Sequence, residues 1–448
     1  MMEDKPVFLP IAFCLARPAV VVGGGDAGQQ RAEALLQAGA KEVRVVEPEN
    51  YPWLGQTPKI LWVRAPYQKN QLLGASLVFA ATLDPALNAR VAEDARALRI
   101  PVNAMDALEL CDFHMPAVLW RKKVSVAVST GGSSPFLARL LRQMLDAVLP
   151  EKLGDMAERL ESLRLRLKAS FPDPRRRLEI LERTFLRAFI AEKSLDEEPG
   201  ASLSESKIFG QVLFVGAGPG GVEHMTLQAL IALALADVVV HDRLVPKETL
   251  SHAKKGALVL EMPCPQAQEA RQGMFSRIVC LAQEGKTVLR LKGGDPLIFS
   301  RAEEEMRVLL QAGVFFTVVP GISAAQAAAA ILKVPLTHRR LAHALVLTSA
   351  RLADGSLPDF ASLWATGGTL AFYMAGERVG EVARGLIDAG ASAHTAAALV
   401  VNAGRPATSI SRGDLAFFSS GFTPAPGPAL FLAGEALAMI QFPFSGAP

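Results

Sequence analysis

The stretch VVVGGGDAGQQR at residues 20–31 predicts the fold of the first part of the chain. An apolar, strand-like segment runs into a cluster of glycines, and a segment with helical periodicity follows. Gly23, Gly25 and Gly28 have the Gly-x-Gly-x-x-Gly spacing of a dinucleotide-binding turn, in the strand–turn–helix context that this motif requires. The first glycine permits the tight turn, the second lets the backbone approach a pyrophosphate, and the third packs the helix against the strand. The pattern favours a Rossmann-like unit.

An acidic residue follows at the position where such a site needs one. The segment KEVRVVEPE at residues 41–49 is typical of a second strand, and this strand ends in Glu47. A carboxylate at this point, about 20 residues after the glycines, binds the ribose hydroxyls and disfavours a 2′-phosphate. We therefore expect NAD rather than NADP. A glycine-rich turn that holds no ligand is the alternative interpretation.

The alternation of strands and helices continues to about residue 106. The segment SLVFAAT at 76–82 predicts a third strand, residues 84–100 a helix, and PVNAMD a further strand that ends at Asp106. Such alternation is typical of a parallel sheet with crossover helices, in which ligands bind at the carboxyl ends of the strands. Asp106 can therefore take up a proton or hold a divalent metal ion. It can equally be the N-cap of a following helix.

A second glycine cluster, LFVGAGPGGVEH at residues 213–224, marks a second α/β unit. Between the two units, residues 151–193 are helical in pattern and rich in charge, and the polar segment SLDEEPGASLSESK at 194–207 is the best candidate for a linker. With 448 residues the chain is too long for one ordinary core, so several domains are expected. Two glycine turns in one chain favour two separate cofactor sites.

Composition excludes several classes of protein. The net charge of +3 is too small to indicate a nucleic-acid partner. The longest apolar stretches are broken by charge before the roughly 20 residues of a membrane span, and the N-terminus has no pattern of a secretory signal. The four cysteines, Cys14, Cys111, Cys264 and Cys280, lack metal-ligand spacing. We expect buried free thiols in a cytoplasmic protein.

The quoted motifs resemble a known family. VVGGGDAGQQRAEALLQAGA, VNAMD, HMPAVL and VAVSTGGSSPFLARLLRQ, in that order between residues 21 and 143, resemble the N-terminal half of siroheme synthases, which is a precorrin-2 dehydrogenase and sirohydrochlorin ferrochelatase. Between residues 215 and 376, VGAGPG, ADVVVHDRLV, LRLKGGDPLIFSR, VVPGISAA, PLTHR and FYMAG resemble the motifs of uroporphyrinogen-III C-methyltransferases. The resemblance covers nearly the whole chain.

The resemblance implies the domain organisation of the fused enzyme. Residues 1–115 are expected to form the NAD-binding domain, 116–150 a dimerisation region, 151–207 a helical segment with linker, and 208–448 a two-lobed α/β methyltransferase. The implied partners are tetrapyrroles (uroporphyrinogen III, precorrin-2 and sirohydrochlorin), a second copy of the chain, and ferrous iron as substrate. Some basic residues can contact the carboxylate-rich macrocycle, or each can equally be a solvated surface charge: Arg121, Lys122, Lys123, Arg339 and Arg340.

The resemblance also implies site residues. NAD is placed at Asp26 and Ala27 and at Pro48 and Glu49, and Asp106 is the essential aspartate of both dehydrogenation and iron insertion. Asp242 matches the proposed general base of methylation. The positions that match S-adenosylmethionine contacts are Pro219, Gly293, Gly294, Asp295, Ile298, Ser323, Ala324, Met374 and Ala403, the last standing where relatives carry a glycine.

The chain departs from the family pattern in its second half. Met262 stands where relatives carry a lysine proposed as a proton donor, Gly221 replaces an aspartate, and the glycine-rich run after KGGDP reads SRAEEE. Three interpretations follow. All three activities persist; or the second half has lost methyltransferase activity and serves as a binding module; or the chain joins an unrelated NAD oxidoreductase to a methyltransferase of the cobalamin branch.

Overall fold

The computed structural model describes residues 17–131, 133–190, 210–264, 266–352 and 354–438. The chain divides into two compact units, Met1–Asp155 and Met156–Pro448. The linker expected at 194–207 lies outside the described residues, as does Cys14. Within the described ranges, no helix combines the length and apolar character needed to cross a membrane.

The first unit is built on a five-stranded parallel sheet in the order β3-β2-β1-β4-β5. Its strands are β1 Ala19–Val22, β2 Val43–Val46, β3 Ile60–Val63, β4 Val78–Ala80 and β5 Val102–Ala104, and its helices are α1 Asp26–Gln37 and α2 Pro85–Ala97. Ala19 and Val21 pack in one core with α1, whereas Val20 and Val22 pack in another with α2. The helices therefore cover opposite faces, which explains why β1 is apolar throughout.

Two expectations for this unit are corrected. The sheet contains the strand β3, which was missed, because it is a short edge strand that leaves Leu61 exposed and carries no clear alternation. The last strand ends at Ala104 rather than at Asp106. Asp106 adopts a left-handed backbone conformation, φ 56°, and the following turn begins after Ala107 without a side-chain cap. The N-cap interpretation of Asp106 is therefore wrong.

A hairpin and three helices follow. Strands β6 Ala117–Arg121 and β7 Val124–Val128 pair antiparallel, and the helices are α3 Pro135–Val148, α4 Leu153–Ser170 and α5 Pro174–Ile190. Helix α3 begins cleanly because the Ser134 side chain accepts a hydrogen bond from Leu137 N and Pro135 occupies the first turn.

The second unit contains two further sheets. The first is parallel, in the order β10-β9-β11-β8-β12; its strands are β8 Gln211–Gly216, β9 Val238–His241, β10 Leu258–Glu261, β11 Thr287–Lys292 and β12 Phe316–Val319. The associated helices are α6 Leu227–Leu235, α7 Lys247–Leu250, α8 Gln268–Gln283 and α9 Ala302–Gln311. This sheet and its helices are the first lobe.

The other sheet is mixed, in the order β13-β14-β17-β15-β16, and forms the second lobe. Its strands are β13 Leu345–Ser349, β14 Thr369–Tyr373, β15 Ala396–Val401, β16 Ser409–Asp414 and β17 Ala429–Ala433. Its helices are α10 Ala324–Leu332, which packs in the core of this sheet, α11 Phe360–Trp364, α12 Val379–Asp388 and α13 Leu415–Ser419. Two α/β lobes are what the resemblance implied.

The described cysteines are free, but they are not all buried. Cys111 is half-buried, whereas Cys264 and Cys280 are exposed. Cys264 lies in the loop after β10 and Cys280 on the solvent face of α8, so the expectation of buried thiols is wrong for both.

Candidate functional site

The glycine turn of the first unit has a geometry that larger residues cannot adopt. Gly23 has φ 116°, and a Cβ there would lie 2.4 Å from the Ala81 carbonyl oxygen. A Cβ on Gly28 would lie 2.0 Å from the Gly23 carbonyl oxygen. Gly25 is the N-cap of α1 and provides no side-chain cap. The backbone N–H groups that open α1 are therefore presented as an anion site.

Glu47 lies directly against this turn. Its Oε2 accepts a hydrogen bond from Gly24 N at 2.6 Å, and its Oε1 accepts one from Glu49 N at 2.9 Å. Trp53 Nε1 donates to the Gly24 carbonyl at 2.9 Å. The carboxylate thus orders the turn, and each oxygen keeps a second lone pair with which to accept from a ribose hydroxyl.

The other residues predicted for the first site lie at the same edge of the sheet. Asp26 and Ala27 form the first turn of α1 after β1, Pro48 and Glu49 follow β2, and the exposed Asp106 follows β5. In a parallel sheet these ends are the ligand-binding edge. In the part of the chain that the structure describes, no group of three or more metal-ligating side chains accompanies Asp106.

A cleft in the second unit gathers all the residues expected to contact S-adenosylmethionine. Its volume is about 240 Å³. The first-lobe side is lined by Pro219, Gly293, Gly294, Asp295 and Ile298, helix α10 contributes Ser323 and Ala324, and the second-lobe side is lined by Met374 and Ala403.

The loops of the first lobe come together because glycines let their backbones touch. Gly218 and Gly294 exchange backbone hydrogen bonds, with N–O distances of 3.2 and 2.8 Å. A Cβ on Gly216 would lie 2.6 Å from Gly321 Cα. Asp295 accepts hydrogen bonds from Gly321 N at 3.0 Å and Leu297 N at 2.8 Å. Asp295 therefore ties the loops after β11 and β12 together, in addition to facing the cleft.

Three further residues that line the cleft, Tyr373, Phe299 and Arg405, were not predicted from the sequence. The Tyr373 hydroxyl pairs with Ser323 Oγ and accepts from Ala325 N, and Phe299 lies 4.8 Å from the Tyr373 ring. Tyr373 stands in the quoted FYMAG motif, which was a usable signal. Arg405 follows VVNAG, where nothing in the sequence distinguishes it from a surface cation. It donates from Nε to the Pro219 carbonyl at 3.2 Å and from Nη2 to the Leu244 carbonyl.

Asp242 lies just after β9, at the edge of a buried ionic network. Its carboxylate accepts a hydrogen bond from Arg290 Nη2, and Arg290 Nε donates to Glu305 Oε2 at 2.7 Å. Lys292 Nζ donates to Glu305 Oε1 at 2.6 Å, and Arg271 approaches the same oxygen at 3.8 Å. Glu305 and Arg290 are almost fully buried, whereas the Asp242 side chain is one-third exposed.

Protonation states in this network follow from burial and charge. Burial alone would lower the pKa of Arg290, but the carboxylates of Glu305 and Asp242 outweigh it and raise that pKa. Burial and the neighbouring Arg290 lower the pKa of Lys292. Arg290 is therefore a permanent cation, and it donates a hydrogen bond to the Asp242 carboxylate.

Two other sequence features have structural explanations. Met262 is buried in the core that contains Val240 and Ile278, so no proton donor stands there. Arg121, expected to contact substrate, is buried and pairs with Asp146 at 2.7 Å. That expectation is wrong for Arg121 because its charge is already neutralised within the unit.

Comparisons with known proteins cover nearly the whole chain. Residues 14–117 match the family of putative NAD(P)-binding domains, 121–147 the central part of sirohaem biosynthesis proteins, and 211–417 the tetrapyrrole (corrin/porphyrin) methylases. A siroheme synthase of Methylococcus capsulatus is 37% identical over 89% of this chain and 87% of that protein. Siroheme synthases of Neisseria meningitidis and Salmonella typhi are 35% and 34% identical over 98% of this chain, and cover 93% and 98% of their own lengths. The chain belongs to the siroheme synthase family.

Solved structures of methyltransferases are similar to about half of this chain. A uroporphyrin-III C-methyltransferase of Thermus thermophilus in complex with S-adenosyl homocysteine is 32% identical, over 51% of this chain and 93% of that chain, with a TM-score of 0.45. A cobalt precorrin-4 methyltransferase is 28% identical, over 53% and 99%, with a TM-score of 0.47. The full-length relatives and the family matches confirm the family predicted from the sequence, and the sheets and helices of the chain confirm its α/β fold class.

Proposed function

We propose that the chain is a multifunctional siroheme synthase. It adds two methyl groups to uroporphyrinogen III to give precorrin-2, oxidises precorrin-2 to sirohydrochlorin, and inserts ferrous iron to give siroheme. The observation that carries the proposal is the convergence of every expected S-adenosylmethionine position on one cleft, in a chain whose other unit has a complete dinucleotide turn. When bound, S-adenosylmethionine supplies the methyl groups and NAD supplies a hydride acceptor.

In the second unit the proposed chemistry depends on alignment and on one carboxylate. The glycine loops let backbone groups approach the cofactor closely, and the cleft orients the methyl donor toward the macrocycle. Asp242 accepts the proton that leaves the methylated macrocycle, because Arg290 positions its carboxylate and one-third of the side chain stays exposed. Met262 lies in the core and takes no part in the proton transfer.

In the first unit Asp106 is the proposed proton acceptor during oxidation. It is exposed, and its left-handed turn presents the carboxylate at the ligand edge of the sheet. The same carboxylate would hold the ferrous ion during insertion. Among the described residues no group of three or more metal-ligating side chains stands beside it, so Asp106 would be the residue that holds the ion as substrate.

The methyltransferase half is tested directly with uroporphyrinogen III and S-adenosylmethionine labelled in its methyl group. We expect label in the macrocycle. Retention of S-adenosylmethionine binding without transfer of label would establish the alternative of an impaired half, which no comparison supports.

The dehydrogenase half is tested with precorrin-2 and NAD. We expect sirohydrochlorin, seen by its absorption spectrum, and siroheme after addition of ferrous iron. Methylation without any sirohydrochlorin would instead favour an unrelated oxidoreductase fused to a methyltransferase.

We also propose a homodimer formed through helix α3. Phe136 is 72% exposed and Met144 58% exposed, and further apolar residues of the same helix are exposed at Leu137, Leu140, Leu141 and Val148. An apolar surface of this kind, rimmed by polar residues, marks an interaction site. A second copy is the natural occupant, because a symmetric dimer buries the same patch on both partners. A cytoplasmic location remains a prediction from the cysteine pattern.

A further inference from the structure

A polar cavity of the first unit lies at the ligand edge of the sheet, and Ala27 is the one residue in its wall that was predicted to contact NAD. Its volume is about 170 Å³. Helix α1 contributes Ala27 and Arg31 to its wall, and the ends of β4 and β5 contribute Phe79, Asn103 and Met105. Met105 immediately precedes Asp106, so the cavity opens next to the proposed acid–base residue.

Arg31 is the charged group of this cavity. Its guanidinium lies over the Phe79 ring, 5.8 Å from the centroid, and no carboxylate pairs with it in the part of the chain that the structure describes. Burial lowers the pKa of Arg31, and Cys111 is the one neighbouring ionisable group that acts on it in the opposite direction. A half-buried cation without an anion is unfavourable by itself, so the site is completed by an anionic ligand.

Shape and chemistry define the ligand. The cavity volume equals the volume that roughly six water molecules occupy in the liquid. A carboxylate side chain fits in this space, but a macrocycle does not. A guanidinium matches a carboxylate with two parallel hydrogen bonds. The Asn103 amide nitrogen donates to the Phe113 carbonyl at 2.8 Å and contacts the Cys111 sulfur, so these bonds orient the Asn103 side chain in the cavity wall.

We propose that Arg31 binds one acetate or propionate side chain of the tetrapyrrole in this cavity and so places the macrocycle edge at Asp106. The inference rests on the proposed function of the first unit. A phosphate of the dinucleotide is the other anion within reach, because arginine side chains on a helix point back toward its N-terminus. The two anions are distinguished by measuring them separately.

The experiment titrates the full-length protein with sirohydrochlorin and, independently, with NAD. Arg31→Gln is expected to weaken sirohydrochlorin binding by ten- to a hundredfold, the range of charged hydrogen bonds, and to change NAD affinity less than twofold. Arg31→Lys should recover part of the loss. Arg90→Gln is the matched control, since Arg90 lies over Tyr67 at 5.4 Å on α2; both affinities should stay at the wild-type level. Circular dichroism and the thermal midpoint check that each variant is folded.

If NAD affinity falls as much as sirohydrochlorin affinity, the cavity serves a cofactor phosphate and the inference is wrong. Equal loss in the Arg90→Gln control would show a general charge effect and overturn it as well. If wild-type and Arg31→Gln proteins bind sirohydrochlorin equally, only the inference fails. If the wild-type protein does not bind sirohydrochlorin at all, the proposed function of the first unit fails with it.

Discussion

Glu305 holds together a buried ionic network of the second unit, although it lies in the SRAEEE run, where the chain departs from the family pattern. It is the shared acceptor of Arg290, Lys292 and Arg271, and only 3% of its side chain is exposed. Buried cations in such number are tolerated only when carboxylates accept from them. Glu305 thereby sets the position of Arg290, and through it that of Asp242.

Glu305→Gln is expected to destabilise the second unit and to slow methylation. Removing one partner from a buried ionic network costs about 3–5 kcal/mol, because the remaining charges stay buried. Urea unfolding measures the stability, and label transfer at saturating substrate measures the turnover. The neighbouring Glu304→Gln is the control, since Glu304 is 56% exposed; it should change stability by less than about 0.5 kcal/mol. Equal effects of the two substitutions would contradict the role of Glu305.

The described cysteines should differ in their rates of alkylation. Burial raises the pKa of Cys111, and a hydrogen bond with the Glu284 carboxylate raises the pKa of Cys280. A raised pKa leaves less thiolate, the reactive form, at any pH below it. Peptide mapping after brief iodoacetamide treatment at pH 8 should therefore find Cys264 modified first, Cys280 next and Cys111 last. Early modification of Cys111 would show that its loop opens readily.

Helix α3 is unusual because its apolar side chains face outward. In an isolated chain this surface would be hydrated, at a free-energy cost that grows with the exposed apolar area. The hairpin of β6 and β7 supports the inner side of the helix, where Ala138 is buried. The outward face is therefore available for a second copy.

Met144→Glu is expected to convert the dimer into a monomer, because it places a charge in the middle of the apolar face. Sedimentation velocity at micromolar concentration measures the mass. Gln143→Glu, an exposed polar position on the same helix, is the control and should leave the dimer intact. A wild-type protein that sediments as a monomer would rule out this interface.

Arg405 joins the two lobes around the cleft. It belongs to the turn between β15 and β16 of the second lobe, and it donates to the Pro219 and Leu244 carbonyls of the first lobe. Burial lowers its pKa, although an arginine remains charged at physiological pH. The cleft is thereby held at the width that brings the cofactor-facing loops together.

Arg405→Met should weaken S-adenosylmethionine binding about tenfold, which corresponds to the loss of roughly 1.4 kcal/mol. Isothermal titration calorimetry measures the affinity. Arg384→Met removes a comparable bond, from Arg384 to the Ser419 carbonyl on the surface of the second lobe, and should leave the affinity unchanged. An unaltered affinity in the Arg405 variant would mean that the lobes hold their spacing without it.

The molecule consists of two compact units, each with its own glycine turn and its own core. Each unit buries enough apolar surface to keep its site ordered independently of the other. A substitution at an exposed site residue of one unit should therefore leave the chemistry of the other intact.

Asp106→Asn is expected to lower the rate of sirohydrochlorin formation by a factor of at least about 100, in the range of lost acid–base catalysis. Methylation of uroporphyrinogen III should continue at the wild-type rate. Both rates are followed in one assay, by label transfer and by absorption. The control is Glu109→Gln, an exposed acid in the same loop, for which both rates should be unchanged. Normal sirohydrochlorin formation in the Asp106 variant would remove this residue from the mechanism.

Much of this architecture was predictable because it depends on local chemistry. Gly23 and Gly28 occupy positions where any Cβ would collide with the backbone. The spacing of the glycines in the sequence therefore predicts this turn. The alternation of apolar strands and amphipathic helices indicates parallel sheets for the same local reason. The edge strand β3 was not predicted, because its short, half-exposed segment lacks that periodicity.

The sequence by itself determined the two α/β units, the family, and a set of positions that line one cleft of the second unit. Only the tertiary structure decided that Glu305 supports Asp242 through Arg290, that Arg405 joins the lobes, and that Arg31 lies over Phe79 in the wall of a cavity. The physical reason is distance along the chain. Backbone turns and apolar periodicity act between near neighbours, whereas the partner of a charge is set by which strand ends the fold brings together.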